Sequence, residues 1–481
     1  MKKTKIIATV WPATESEETL VWLYDAWVNI IRFNFSHANY ENAKMIRERI
    51  WMLNSTWKTN LATLLDTKWP EIRTWDVSEK IKFLKWDKIK IFIDKNKVSW
   101  DKSLYCDYEY LISDMEIWDI IEIDSWLLKT VVTYKWEDFI EVEAWSDCLI
   151  WSRRHINLPW KKIKLPWITD KDKEDVVFAI ENGFDFIAQS FVRTAANVLE
   201  LKQLLHSHNA SHIKIIAKIE NEEWIENLDE IIWITDWVMV ARWDLWIETP
   251  IEMLPIFQRR MVKKCLDSWK FVIIATQLLE SMIENPFPTR AEVSDVFNSV
   301  MQKADCLMLS GETATWKYPV ETVKTMTSVI KEAEKQIFYK HIDFINYWLS
   351  DRDIEKKHLI KSAIFMSDEM SVDAILVFTK SWRLARLAAW FRPAKKVFAF
   401  TWEQKTIGYL NVLFWIKWYL LNDWTNIYKD NLKNAIKLLI SEWRLGQEDK
   451  IIVITDLQKD EIEIPVLEII NIKDFVNAYW K

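Results

Sequence analysis

Eight apolar runs of strand length, separated by segments with helical periodicity, constrain this chain more than any other feature. TKIIATV (4–10), VNIIRF (28–33) and NLATLLD (60–66) begin the series, and runs at 184–188, 213–218, 237–241, 271–275 and 305–309 complete it. Strands covered on both faces read as continuous apolar stretches, and their alternation with amphipathic segments marks βα units. Between 70 and 166 the helical periodicity gives way to short alternating runs, DKIKIFI, DIIEID, LLKTVVTY and DFIEVEA, punctuated by turn residues. That stretch reads as an all-β insertion. Eight βα units interrupted once predict an α/β chain built on a (β/α)8 barrel with an inserted lid. After a charged stretch, LSDRDIEKKH (349–358), read as a linker, helical and strand patterns alternate again: a helix near 359–369, then DAILVFT, a helix after Ser381, KKVFAF and IIVIT. These predict a C-terminal open α/β domain. The expected boundaries are 1–69 and 167–345 for the barrel, 70–166 for the lid and 346–481 for the last domain.

A barrel of this kind presents its chemistry at the C-terminal ends of its strands. Lys218 and Glu220 lie two apart in the fifth run, so a strand points both side chains to one face. The sixth run, VMVARWDLW, ends in Asp244. As parallel neighbours these runs would set two carboxylates side by side, which suits a hard divalent cation such as Mg²⁺. A barrel-end ion pair is the plainer alternative. Read the same way, the second run ends in Arg32, Asn34, Ser36 and His37, and the third in Asp66, Thr67 and Lys68, followed by Arg73. The sixth adds Arg242, the seventh Thr276 and Gln277, the eighth Ser310. Oxygens for cations beside Arg and Lys for phosphate are the kit that phosphoryl transfer requires.

A net charge of −7 without a basic block argues against a nucleic-acid partner, and no apolar run approaches membrane-spanning length. The opening MKKTKIIATVWP is followed at once by Glu15, Glu17 and Glu18, so a signal peptide is not expected. Cys106, Cys148, Cys265 and Cys306 contain no CxxC pair, which suits a reducing cytoplasm and gives no zinc site. One count is abnormal: 32 Trp against 4 Gly. Glycine ordinarily makes up about 7% of a chain, and the two counts together restore roughly that share. Trp also stands in turn and loop contexts, before Pro12 and Pro70, after Ser125, and within KSWR (380–383). There a backbone needs positive φ or close approach to a ligand. The expectation is that most of these Trp are Gly in the organism's own protein, UGA codons meaning glycine having been read as tryptophan.

ATVWPAT, RFNFSHA, LLDTKWPEIRT, NLPWKKIKLPWITDKD, AKIENEEW, VMVARWDLWIE, ATQLLESMIENPFPTRAEVSDV and LMLSGETATWKYPVE, in that order, resemble the successive signatures of the pyruvate kinases. The family has Gly where these stretches show Trp, at 11, 69, 160, 167, 224, 243, 246 and 316. The resemblance implies a TIM barrel with a small β-barrel lid. It implies a cytoplasmic, homotetrameric phosphotransferase of glycolysis that passes the phosphoryl group of phosphoenolpyruvate to ADP, giving pyruvate and ATP. Mg²⁺ (or Mn²⁺) would be held by Glu220 and Asp244, and the phosphoryl group by Lys218 and Arg32. Thr276 and the N–H groups of Trp243 and Asp244 would bind the substrate carboxylate, with Thr276 and Ser310 supporting a water relay that protonates the enolate. Asn34, Ser36, Asp66 and the Thr67 carbonyl resemble the family's K⁺ site, and Glu71 stands where members with Glu need K⁺. A simple turn or helix cap is the plainer reading of Asn34 and Ser36. Pro12, His37, Arg73 and Arg154 match nucleotide contacts, Arg154 on lid closure; otherwise the histidine is structural, and Arg153 and Arg154 are solvated charges. His155 and Ala38 depart from the family pattern.

TKSWRLARLAAWFRP (379–393) resembles the family's effector loop, where Thr379 and Ser381 before a helix would bind a sugar diphosphate. Leu384 replaces a hydroxyl residue there, and the chain end lacks the loop that usually completes the pocket. An oligomer-forming domain with a vestigial pocket is the alternative. Two other functions compete with the kinase. A metal-dependent aldolase or lyase of the pyruvate-enolate type would need neither a nucleotide site nor a K⁺ site. An inactive scaffold would follow if the Trp side chains are genuine and fill the cleft.

Overall fold

The computed structural model describes residues 2–479 except 57, 69–71, 76–79, 98–101, 125–126, 160, 162–163, 165–167, 221–223, 315–316, 338–350, 426 and 460–461. Trp69, Glu71, Trp160, Trp167 and Trp316 therefore lie outside the described residues, as do 349 and 350 of the expected linker.

Eight parallel strands close a barrel: β1 (Lys5–Thr9), β2 (Ile30–Asn34), β3 (Ala62–Asp66), β4 (Phe186–Gln189), β5 (Lys214–Ile219), β6 (Trp237–Ala241), β7 (Phe271–Ala275) and β8 (Cys306–Leu309). Each pairs with the next in the chain, and β8 returns to β1 with Ala8 opposite Leu309. The apolar runs form these strands because both faces are covered, so that every residue of β1, β3, β6 and β7 is buried. The connecting helices start where the sequence offers caps: Thr169 with Asp172, and Thr289 with Glu292, close reciprocal capping boxes.

The insertion between β3 and β4 forms a six-stranded sheet and a two-stranded pair, Ile81–Phe83 with Cys148–Ile150. Its core is its own, built from residues such as Phe83, Ile91, Tyr108 and Val142. Strands such as Phe139–Ala144 bury alternate residues only, which is why they read differently from the barrel strands.

The last domain is a five-stranded sheet of β9 (Ala374–Phe378), β10 (Lys396–Thr401), β11 (Ile416–Leu420), β12 (Lys450–Lys459) and β13 (Ile462–Asn471), in the order β11-β10-β9-β12-β13. All neighbours are parallel except the β12–β13 pair. The charged stretch expected to be a linker is helical from Asp351, the start of a helix running to Glu369. Two of its charges are buried and paired: Asp353 with Arg383, and Lys356 with Asp456 at 2.6 Å. One apolar cluster joins Ile7, Phe186, Trp237 and Phe271 of the barrel to Trp390, Tyr409, Leu413 and Phe414 of this domain. Across the same junction Arg392 meets Asp305 at 2.6 Å, with both side chains buried.

Six tryptophans, Trp27, Trp86, Trp118, Trp269, Trp415 and Trp443, have φ between 55° and 84°. Trp27, Trp269 and Trp443 each follow a helix and close it with the same bond pair. For Trp443, its own N–H donates to the Ile440 carbonyl and that of Arg444 to the Leu439 carbonyl. Gly183 ends its helix identically, with φ of 64°, and this left-handed cap is the position at which glycine is strongly preferred.

Candidate active site

The C-terminal ends of β2 to β6 converge on a buried charged cluster. Arg32 projects from β2 so that Nε meets Asp66 Oδ2 at 2.7 Å and Nη1 donates to Thr9 Oγ1 at 2.9 Å. Asp66, the last residue of β3, offers its other oxygen to Lys218 Nζ at 3.1 Å. Lys218 also reaches Glu220 Oε1 at 2.8 Å and Ser190 Oγ at 2.8 Å. The second Glu220 oxygen accepts the Phe191 N–H at 2.7 Å. Asp244 comes from the first turn of a short helix, Arg242–Glu248, and its carboxyl faces that of Glu220.

Three acids and two cations share this space, and their ionisation reflects it. Burial and then the Glu220 charge push the Asp244 carboxyl well above its ordinary value. Burial alone would raise Asp66 too, but Lys218 and Arg32 outweigh it and hold that carboxyl low. For Lys218, burial is outweighed by Asp66, Glu220 and Asp244, so its pKa is raised and the ammonium stays charged. The surplus is negative and it sits between Glu220 and Asp244. An all-oxygen pair of carboxyls fits a hard divalent cation that keeps further positions for substrate and water. Among the described residues no group of three His, Cys, Asp or Glu side chains is placed to hold a metal.

The next strand end completes the rim. β7 runs into Thr276 and Gln277, with left-handed φ of 67° and 51°. Arg242 clamps this turn, donating from Nε to the Thr276 carbonyl at 3.2 Å and from Nη2 to the Gln277 carbonyl at 3.0 Å, while Nη1 meets Asp295 at 2.6 Å. The Trp243 N–H donates to Thr276 Oγ1 at 3.0 Å. Ser310 follows β8 and is tied by its N–H to Glu312 at 2.7 Å.

Asn34 and Asp66 are register partners on β2 and β3. Asn34 Oδ1 accepts the Ser36 N–H at 3.3 Å, so Asn34 does shape a turn, and the Thr67 carbonyl accepts Ser190 Oγ at 3.0 Å. The His37 ring stands edge-on to Trp11, the residue before Pro12, with centroids 6.5 Å apart. Arg73 and Arg154 each bond elsewhere: Arg73 Nη1 donates to the Arg153 carbonyl at 2.8 Å, and Arg154 pairs with Asp124 at 3.4 Å.

Residues 1–323 match a family model described as the pyruvate kinase barrel domain, and residues 357–463 one described as the pyruvate kinase alpha/beta domain. The chain belongs to the pyruvate kinase family. It is 39% identical to a pyruvate kinase of Bacillus licheniformis over 86% of this chain and 71% of that protein, and 40% identical to one of Geobacillus stearothermophilus over 83% and 68%. A crystal structure of a pyruvate kinase from Cryptosporidium parvum superimposes with a TM-score of 0.90 at 32% identity, covering 98% of this chain and 96% of that one. The barrel and the last domain are thus those of a pyruvate kinase, a phosphotransferase, and the activity is transfer of the phosphoryl group of phosphoenolpyruvate to ADP. Among the described residues no helix is long and apolar enough to cross a membrane.

Sequence reasoning missed three members of the cluster. Ser190 and the Phe191 N–H lie just past β4, in AQSFVR; reading the fourth strand end as the others were read would have found the serine. Thr9, which orients Arg32, closes a run taken as purely structural. In the 379–393 stretch the Thr379 hydroxyl donates to the Ser381 carbonyl, and Thr406 Oγ1 donates to the Lys380 carbonyl at 3.0 Å.

Proposed function

We propose that the buried cluster is where this pyruvate kinase carries out its chemistry, with Glu220 and Asp244 holding a divalent cation. The observation that carries this reading is the surplus carboxylate between those two residues, next to Lys218 and Arg32. The bound cation supplies positive charge against the substrate oxygens. Arg32 and Lys218 grip the phosphoryl group, and Lys218, charged throughout, offsets the charge that spreads over the phosphoryl oxygens as it passes to ADP. Thr276 and the N–H groups of residues 243 and 244 hold the carboxylate, and Thr276 and Ser310 order the water that protonates the enolate. Asn34, Ser36, Asp66 and the Thr67 carbonyl form the K⁺ corner, and Pro12, His37, Arg73 and Arg154 bind the nucleotide as the lid closes. A homotetramer in the cytoplasm, with lid boundaries at 70–166 and an effector pocket at Thr379 and Ser381, belongs to the same proposal.

We also propose that most of the tryptophans replace glycines of the organism's own protein. Three left-handed helix caps shared with Gly183, and the extreme exposure of Trp443 (95%) and Trp118 (78%), support this. At 243 the consequence is functional, because an indole stands where the backbone must approach the carboxylate. Pyruvate formation with Mg²⁺ and K⁺ tests both ideas on two proteins: the sequence as written, and one carrying Gly at the motif Trp positions. Turnover confined to the Gly form is expected. Equal turnover in both would remove the glycine reading, and none in either, with both folded, would remove the assignment of the cluster.

A further inference from the structure

Lys218 and the Thr67 carbonyl, assigned above to the phosphoryl group and the K⁺ corner, meet on one hydroxyl. Ser190 Oγ accepts from Lys218 Nζ at 2.8 Å and donates to the Thr67 carbonyl at 3.0 Å, and Asp66 Oδ1 lies 3.5 Å away as a second acceptor. The residue is 5% exposed. A serine hydroxyl has one proton and two lone pairs, so this one can serve only one acceptor at a time. We propose that Ser190 is a positioning residue that couples occupancy of the monovalent-cation corner to the placement of Lys218.

With the corner empty, the hydroxyl proton lies on the Thr67 carbonyl and a lone pair faces Lys218. With a monovalent cation on that carbonyl, the proton is repelled and turns to Asp66 Oδ1. Asp66 then binds the Lys218 ammonium less strongly, because the same oxygen now accepts from both. The ammonium has three donors, directed at Asp66, Glu220 and Ser190, and loosening the first releases one towards an incoming phosphoryl oxygen. The bond to Glu220 is untouched, so the lysine shifts without leaving the site. Occupancy of the corner thus raises affinity for the phosphorylated substrate, and by linkage the substrate raises affinity for the cation by the same factor.

The inference rests on the proposed K⁺ corner, and binding without turnover separates the two. Phosphoenolpyruvate affinity is measured by equilibrium dialysis with Mg²⁺ and no ADP, across a KCl series at ionic strength held constant with tetramethylammonium chloride. The full-length form carrying Gly at the motif Trp positions serves as the parent, and it is compared with the same protein carrying Ser190→Ala or Ser190→Thr. K⁺ should tighten binding in the parent by several-fold, within the roughly 5–150-fold range usual for coupled sites. Ser190→Ala should bring the ratio of affinities with and without K⁺ close to one, and Ser190→Thr, which keeps the hydroxyl, should restore most of it. An unchanged ratio in Ser190→Ala overturns the inference while leaving the K⁺ corner standing. A parent indifferent to K⁺ overturns both.

Discussion

Trp443 shows what a single residue reveals about this chain. It is 95% exposed, holds φ of 55° and caps a helix in the manner of Gly183. A side chain in the left-handed region costs about 1–2 kcal/mol, and an indole in water returns nothing for it. Trp443→Gly and Trp118→Gly should therefore each raise stability by roughly 1 kcal/mol, visible as a higher thermal midpoint. Trp237 is the contrasting case. It is 1% exposed and packs against Phe186 and Phe271 at 5.2 and 4.9 Å, so in this chain Trp237→Gly should cost about 3–5 kcal/mol as a core cavity opens. Loss of stability in the first two variants would remove the physical support for the glycine reading. At this scale Lys218, Glu220 and Asp244 were legible because polar residues ending apolar runs stand out. Ser190 stands two residues past the fourth run just as Glu220 stands past the fifth, and was passed over only because that strand end was not read.

Among the elements, the helix Asp170–Glu181 carries a pH signature. Its Asp172 closes the capping box by accepting from the Thr169 N–H at 2.9 Å and Oγ1 at 2.6 Å, yet burial pushes the carboxyl up to about 6. A carboxyl raised in the folded state favours folding while protonated, so its contribution is complete below about pH 4 and is lost as pH rises through 6. Asp172→Asn keeps an acceptor for Thr169 and removes the charge. It should stabilise the protein at pH 8 by on the order of 1–3 kcal/mol, with the gain shrinking to nothing near pH 4; chemical denaturation at the two pH values reads it directly, and a constant difference would contradict the burial argument. The barrel strands were legible because both faces are apolar. β11 and β13 escaped notice: IKWYL is interrupted by polar residues, and β13 is half-buried with Ile464 and Ile469 exposed. The 349–358 stretch misled for a different reason, since Asp353 and Lys356 are buried and paired across the domain rather than solvated.

Across the whole molecule, the junction between barrel and last domain is held by more than apolar contact. Arg392 Nη2 meets Asp305 at 2.6 Å, donates to the Lys303 carbonyl at 3.2 Å, and its guanidinium lies 4.1 Å from the Phe414 ring. Removing one partner of a buried pair leaves the other uncompensated, at a cost of about 3–5 kcal/mol. Arg392→Met should lower the urea midpoint accordingly, and Arg392→Met with Asp305→Asn should recover much of the loss; a lone Arg392→Met without effect would show that the junction rests on its apolar cluster.

That shared cluster also bears on how the protein is made. Ile7, in the first barrel strand, shares that cluster with Trp390, Tyr409 and Leu413 of the last domain, made much later. Until the ribosome has released those residues, the floor of the barrel faces water with an apolar surface that has no lining. Nascent chains halted before residue 374 should therefore be held by chaperones or aggregate, and the barrel strands should acquire full protection from hydrogen exchange only once the last domain has folded against them.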